Sequence, residues 1–303
     1  MSMTLQDQTV AVVGLGLMGG SAALALRDKV QRLVGVDPDA ATLDYALQHR
    51  IIDTATPDLR EGVSEAQTVI LAAPVQVILD LLQNRIGSYL RANTLLIDLG
   101  STKARICEAM SNLPISVLAM GGHPMCGKER SGIQEADATL YRGRPFVLCA
   151  PRRVTPAARL RALELVDALA AVPVEMDPDR HDHLVAGISH LPYLLSTALV
   201  RTVDGEAQAD PMIWQLAASG FRDTSRLAAS DIRMMSDIIS TNTTAIARLL
   251  ALFRVQLAIL EVALISHDSQ ELAALLQSAH DARVRWASEF GLEQHLPTRE
   301  KHP

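Results

Sequence analysis

One histidine is set apart by its surroundings. Gly121-Gly122-His123-Pro124-Met125-Cys126-Gly127 places an imidazole among glycines, with a thiol as the only other titratable side chain nearby. An imidazole changes charge near neutral pH, so at this position it can take a proton from a hydroxyl. Two glycines before it let the backbone adopt positive φ or pass close to a ligand. Pro124 fixes its own φ and pushes His123 toward an extended conformation. These residues predict a stiff turn, with the ring off any helix face. Cys126 lies three residues on, close enough in sequence to be considered as a nucleophile. The chain also carries two arginines, Arg222 and Arg226, in Gly220-Phe221-Arg222-Asp223-Thr224-Ser225-Arg226. A guanidinium fork there matches a carboxylate, and Asp223 can hold it in place.

A second constellation lies near the start. Val10-Ala11-Val12-Val13 reads as a strand and runs into Gly14-Leu15-Gly16-Leu17-Met18-Gly19. A helix rich in Ala and Leu follows, then a strand, Val34-Gly35-Val36, that ends in Asp37. Strand, G-x-G-x-x-G, helix and an acid about 20 residues on make a dinucleotide site. Gly14 makes the tight turn, Gly16 lets the pyrophosphate approach, and Gly19 lets helix and strand pack closely. The helix N-terminus then faces the phosphates. Asp37 accepts from the adenosine ribose and repels a 2′-phosphate. No Arg or Lys follows it, so the cofactor read here is NAD and not NADP. Cofactor contacts are expected from Gly14, Gly16, Leu17, Met18, Gly19, Asp37, Ala73, Pro74 and Ser101.

Further strands are predicted at 68–73, 95–99, 116–120, 145–149 and 172–176, with helices at 40–49, 75–90, 103–111 and 156–170. Strand alternating with helix predicts a Rossmann-type α/β fold, a doubly wound and mostly parallel sheet over 1–177. Ligands of such sheets sit beyond the carboxyl ends of the strands. Pro74, Ser101 and His123 all follow strand ends, so one crevice can hold them. From Asp177-Pro178-Asp179 the pattern is helical only, and 178–303 reads as an all-helical C-terminal domain for substrate binding and dimerisation. Its helices are expected at 180–203, 210–219, 224–237, 241–266 and 269–290, with turns at Asp204-Gly205 and Gly220. The last two are apolar over a wide arc, through Ile246, Leu249, Phe253, Leu257, Leu260 and Leu264 and through Leu272, Leu275 and Trp286. Such an arc needs several partners, and a homodimer is expected through 241–290.

Composition sets the class. The 303 residues are 49% hydrophobic and carry a net charge of −6. An acidic chain without a basic stripe argues against a nucleic-acid partner. The uncharged runs 109–127 and 183–200 are interrupted by Pro, Gly, Asn and His and read as core, so no membrane span is expected. Residues 1–9 lack the pattern of a signal peptide. Three cysteines in no metal or disulfide spacing fit a reducing cytoplasm. His181 and His183 form an H-x-H pair without a third ligand, so no metal is expected.

Five segments together resemble the prephenate dehydrogenase family, including its arogenate-using members. They are the glycine loop, Asp98-Leu99-Gly100-Ser101-Thr102-Lys103, the loop Gly121–Gly127 with Glu129 and Gly132, Ser189-His190-Leu191-Pro192, and Gly220–Arg226. The resemblance runs in order over nearly the whole chain. It implies NAD-dependent oxidative decarboxylation of prephenate to 4-hydroxyphenylpyruvate, in tyrosine biosynthesis. It implies that His123 accepts the hydrogen bond of the ring hydroxyl and that Ser101 contacts this histidine and the nicotinamide region. His190 is implied on the substrate side, Arg226 on the ring carboxylate, Arg222 at the pocket mouth and Glu129 as a gating acid. Cys126 stands where the family usually has a small residue, which implies a filler role; Lys128, Met235 and Tyr193 depart from the family's usual residues. Arogenate, which differs from prephenate in an amino for a keto group, is the alternative substrate. Two other readings compete: a β-hydroxyacid dehydrogenase and a silent NAD-binding regulator. The first relies on a lysine in the second half, and this chain has none between Glu129 and Lys301. The second has no need of Ser101, His123 and Arg226 together.

Overall fold

The computed structural model describes residues 4–128 and 130–290. Glu129, expected as a gating acid, lies outside them. Eight strands form one sheet: β1 Thr9–Val13, β2 Arg32–Val36, β3 Thr54–Thr56, β4 Thr68–Leu71, β5 Leu95–Asp98, β6 Leu118–Pro124, β7 Pro145–Cys149 and β8 Val172–Met176. Their order is β3-β2-β1-β4-β5-β6-β7-β8. Neighbours run parallel except β6 and β7. The chain reverses direction across the sheet between β1 and β4, the switch point where a doubly wound sheet opens a crevice. Side chains alternate between two apolar layers: Val10, Val12, Ile70 and Ile97 enter one, and Ala11, Val13, Val69, Leu71 and Leu96 the other. Both faces are covered, so the central strands read as continuous apolar runs.

Helices α1 Leu17–Leu26, α2 Ala40–Gln48, α3 Leu59–Val63, α4 Val75–Asn84, α5 Ala104–Met110 and α6 Pro156–Ala168 connect the strands. Asp39, Asp58 and Thr155 cap α2, α3 and α6 by accepting from backbone N–H groups in the first turn, which satisfies donors that a helix start leaves open. The second half is helical: α7 Pro178–Val185, a π turn Ala186–His190, α8 Leu191–Ala207, α9 Met212–Leu216, α10 Ser219–Ser225, a 3₁₀ turn Arg226–Ala229, α11 Ile232–Thr241, α12 Thr243–Ile265 and α13 Ser269–Phe290. Asp177 caps α7 through the Asp179 and Arg180 N–H groups, with Pro178 in the first turn. By length and composition the run Pro178–Ala207 is long enough to cross a membrane. It buries His181 and Asp182, and Asp182 binds the backbone at the start of α5.

The chain divides into two compact units, Met1–Ile246 and Ala247–Pro303. Within the first, Asp237 of α11 accepts from the Gln76 N–H at the start of α4, and Thr102 and Thr241 share a buried hydroxyl pair at 2.9 Å. These contacts fasten the helices that follow the sheet to the sheet itself.

Three local expectations are corrected. Gly121 to Pro124 form strand, not turn: β6 continues past its pairing with β5 and pairs antiparallel with β7, His123 opposite Val147. Neither glycine has positive φ. A Cβ on Gly122 would lie 2.5 Å from the Asp98 carbonyl oxygen, and one on Gly121 2.6 Å from Cys107 Sγ. Close approach between neighbours, and not turn geometry, requires these glycines. Gly205 and Gly220 are helical, within α8 and α10. A helical glycine costs about 1 kcal/mol relative to alanine, which is a weak bias and does not by itself end a helix. Finally, β3 was not anticipated; three residues are too few to show a period.

Candidate active site

The glycine loop has the shape a dinucleotide needs. Gly14 has φ +92°, and a Cβ there would meet the Ala72 carbonyl oxygen at 2.6 Å. At Gly19 a Cβ would fall 1.8 Å from the Gly14 carbonyl oxygen, so this residue sets the packing of α1 on β1. Gly16 has open space where its Cβ would point, the place for a phosphate to approach. It also caps α1 without a side chain, so the first N–H groups of that helix remain available for an anion. The Asp37 carboxylate takes the Leu15 N–H at 2.8 Å and the Asp39 N–H at 3.0 Å. Those bonds fix its plane and leave lone pairs for ribose hydroxyls. Pro74 caps α4 directly after β4, and Ser101 follows β5 half-buried. The residues fit NAD, which when bound supplies a hydride acceptor.

His123 sits on the part of β6 that extends beyond β5, supported from below by a buried ion pair. Lys103 and Asp98 are both fully buried and bonded to each other. The Lys103 ammonium also donates to the Gly122 carbonyl at 2.6 Å. Asp98 accepts the Gly122 N–H at 3.0 Å and the Gly100 N–H at 2.8 Å. One pair therefore holds both backbone groups of Gly122, the residue before the histidine, and the turn before Ser101.

The partner of the His123 ring is a second histidine. His123 Nδ1 lies 2.8 Å from His181 Nε2, and His181 Nδ1 lies 2.8 Å from Asp182 Oδ1. Asp182 in turn accepts the N–H groups of Lys103 at 2.6 Å and Ala104 at 2.9 Å. Asn242 donates from Nδ2 to the Asp182 carbonyl at 2.7 Å and reaches His190 Nδ1 at 3.3 Å. His123 is held well below the usual histidine range, chiefly by burial, then by His181, Lys103 and His190. Burial also pushes His190 down to about 4, with Asp182 opposing. Both rings are neutral at pH 7. The Cys126 thiol is pushed up to about 11 by burial, which leaves almost no thiolate and fits its reading as filler.

The structure thus joins His123 and His190 through Asp182. Among the described residues no hydrogen bond links Ser101 to His123. Arg226 opens the 3₁₀ turn after α10, which packs on α8 through the Ser196 hydroxyl: it donates to the Thr224 carbonyl and accepts the Ala228 N–H. Arg222 is exposed and pairs with Asp223 at 3.0 Å. Lys128 is tied to the Glu135 carbonyl at 2.9 Å and to Asp137 at 3.3 Å.

Sequence reasoning passed over His181, Asp182 and Asn242. His181 was weighed only for metal. No local pattern marks them: only the packing of α7 on α5 buries His181 and Asp182 while His183 is left half-exposed.

Comparison with known proteins decides the lineage. A family model described as "Prephenate dehydrogenase, nucleotide-binding domain" matches residues 22–174, and one described as "Prephenate dehydrogenase, dimerization domain" matches 177–278. The chain belongs to the prephenate dehydrogenase family. A prephenate dehydrogenase of Bacillus subtilis (strain 168) is 33% identical over 79% of this chain and 66% of its own length. The crystal structure of Synechocystis arogenate dehydrogenase superposes with a TM-score of 0.80 at 30% identity, covering 92% of this chain and 99% of that one. A prephenate dehydrogenase from A. aeolicus, solved with hydroxyphenyl propionate and NAD+, gives 0.86 at 25% identity, covering 94% and 99%. The family's nucleotide-binding match begins in the second half of α1, takes in strands β2 to β7 and ends within β8.

Proposed function

We propose that this chain oxidises prephenate with NAD and releases carbon dioxide and 4-hydroxyphenylpyruvate. The observation that carries the reading is a neutral, half-buried imidazole, His123, whose Nε2 has no partner among the described residues. In this reaction the ring hydroxyl loses its proton as a hydride leaves the same carbon. His123 accepts that proton at Nε2. His190 binds on the substrate side, Arg226 holds the ring carboxylate, Arg222 stands at the pocket mouth, and Ser101 orients substrate and nicotinamide. A charge lost as carbon dioxide departs is not one to hold more tightly in the transition state, so Arg226 acts in binding. Glycines 14, 16 and 19, with Leu17, Met18, Asp37, Ala73 and Pro74, hold the cofactor. Arogenate presents the same ring and is the second reading; the Synechocystis structure supports it.

The test is NADH formation at 340 nm with NAD and either substrate. Turnover of prephenate is the expected result; turnover of arogenate alone would replace the substrate, and none with either would end the reading. In the same assay Arg226→Ala is expected to raise KM roughly 30–1000-fold, the cost of a lost charge-assisted pair, while kcat falls less.

The functional division is placed at Asp177, where strand gives way to helix, and the segment beyond it forms a homodimer. Val255, Val262, Leu264 and Ile265 on α12 and Leu276, Val284 and Phe290 on α13 are each more than half exposed, and apolar surface of that kind marks an interface. The match at 177–278 to a dimerization domain supports this. Light scattering at micromolar protein is expected to give twice 32.8 kDa; an active particle of single mass would refute it. A cytoplasmic site of action fits three cysteines that are all free thiols.

A further inference from the structure

Asp182 stands at a junction. Its side chain reaches His123 through His181, and its main-chain carbonyl reaches His190 through Asn242. Each branch fixes where a proton sits. Asp182 Oδ1 accepts the Lys103 N–H and Oδ2 the Ala104 N–H, so these oxygens act as acceptors. His181 must then present Nδ1–H to Asp182, and a ring carrying that one proton has a lone pair at Nε2. The ring facing that lone pair, His123, must donate from Nδ1 and keep Nε2 bare. Along the other branch a carbonyl oxygen can only accept, so the Asn242 atom facing it is the amide nitrogen. Its second hydrogen points to His190 Nδ1, which accepts, and the proton of the neutral His190 ring stays on Nε2.

We propose that Asp182, through His181 and Asn242, holds the two site histidines in opposite tautomers, His123 with a bare Nε2 that accepts and His190 with an Nε2–H that donates. His181, Asp182 and Asn242 are positioning residues: they act through the rings and not on the substrate. The consequence is a division of labour between two neutral imidazoles. A bare nitrogen suits removal of the hydroxyl proton, and an N–H suits an anionic or carbonyl oxygen of the substrate. A free histidine ring in water favours Nε2–H, so His123 is the ring held in the less common form. The inference rests on His123 as the base, but the ring states can be read without any turnover.

The experiment is two-bond ¹H–¹⁵N correlation spectroscopy on the full chain labelled with ¹⁵N-histidine at pH 7.5, assigned by His123→Asn, His181→Gln and His190→Gln. Expected are Nδ1–H for His123 and His181 and Nε2–H for His190. Finding Nε2–H on His123, or a doubly protonated His181 between Asp182 and His123, overturns the proposal. Asp182→Asn turns an acceptor into a donor toward His181. It is expected to invert His181 and His123 together and to lower kcat roughly 10²–10⁴-fold with little change in KM, as loss of the correct tautomer does elsewhere. Wild-type kcat in a folded Asp182→Asn protein also overturns it. Because Asp182 anchors two backbone N–H groups, that variant can fail to fold; His181→Gln and His181→Leu then decide. Gln keeps an acceptor toward His123 and a donor toward Asp182 and is expected to retain at least tenfold more kcat than Leu. Equal rates in the two variants would refute a positioning role. If the tautomers are as described and His123→Asn keeps full kcat, it is the assignment of the base that fails and the ring states stand.

Discussion

Replacing His123 by Asn is expected to lower kcat about 10²–10⁴-fold, the usual contribution of a positioned general base, and to leave KM nearly unchanged. Asn has similar reach and polarity but cannot take the hydroxyl proton. The ring hydroxyl gives little ground-state binding, so substrate still enters. The pH profile supplies the sharper test. Only neutral His123 works, so kcat falls as pH drops through its folded pKa. Burial first, then His181, Lys103 and His190, hold that value well below 6.5; Asp182 and Asp98 are the carboxylates behind those neighbours. The wild-type rate is therefore expected to stay flat from pH 7.5 through 6.5 and decline only in more acid solution. His190, a binding group, leaves its titration in KM. In His123→Asn the acid decline of kcat disappears. A variant that keeps this limb, or changes KM alone, would show that His123 is not the base.

The fold was legible to the extent that local rules govern it. Strand, glycine loop, helix and Asp37 lie within one short span, and each glycine has a distinct steric job. The same holds for Asp177-Pro178, which caps α7 where strands end. Reading was weaker where a distant partner decides. Gly121-Gly122 carries glycine's usual turn signal, yet the Asp98 carbonyl and Cys107 fill the space that a side chain would need. Gly220 was read as a break but lies inside α10. The site shows the same division. His123 was visible because Gly and Pro frame it. His181, 58 residues away in sequence, looks like any helix histidine until α7 is laid against α5. Asn242 ends α11 without any motif around it. The π turn at Ala186–His190 widens the helix just where His190 must face Asn242, and no local propensity announces it.

Lys103 offers the largest expected loss of stability. Replacing it by Met keeps the aliphatic stem but removes the ammonium from a fully buried site. Asp98, fully buried, then keeps only the N–H groups of Gly100 and Gly122. Breaking a buried pair from one side costs about 3–5 kcal/mol, because a charge is left uncompensated. In a chain of this size that corresponds to a fall in Tm of roughly 6–10 °C. Asp98→Asn in the same chain removes the stranded charge. The double variant is expected to lose less than the sum of the single losses, with a coupling of about 2 kcal/mol or more. Activity reports on the same contact, since the lost ammonium also leaves the Gly122 carbonyl without its donor. Gly122 is then held through its N–H alone, and kcat is expected to fall in the Lys103→Met protein even at temperatures where it is fully folded. A Lys103→Met chain that melts within 2 °C of the parent, about 1 kcal/mol, and turns over at the parent rate would show that neither the strand nor the base depends on this pair.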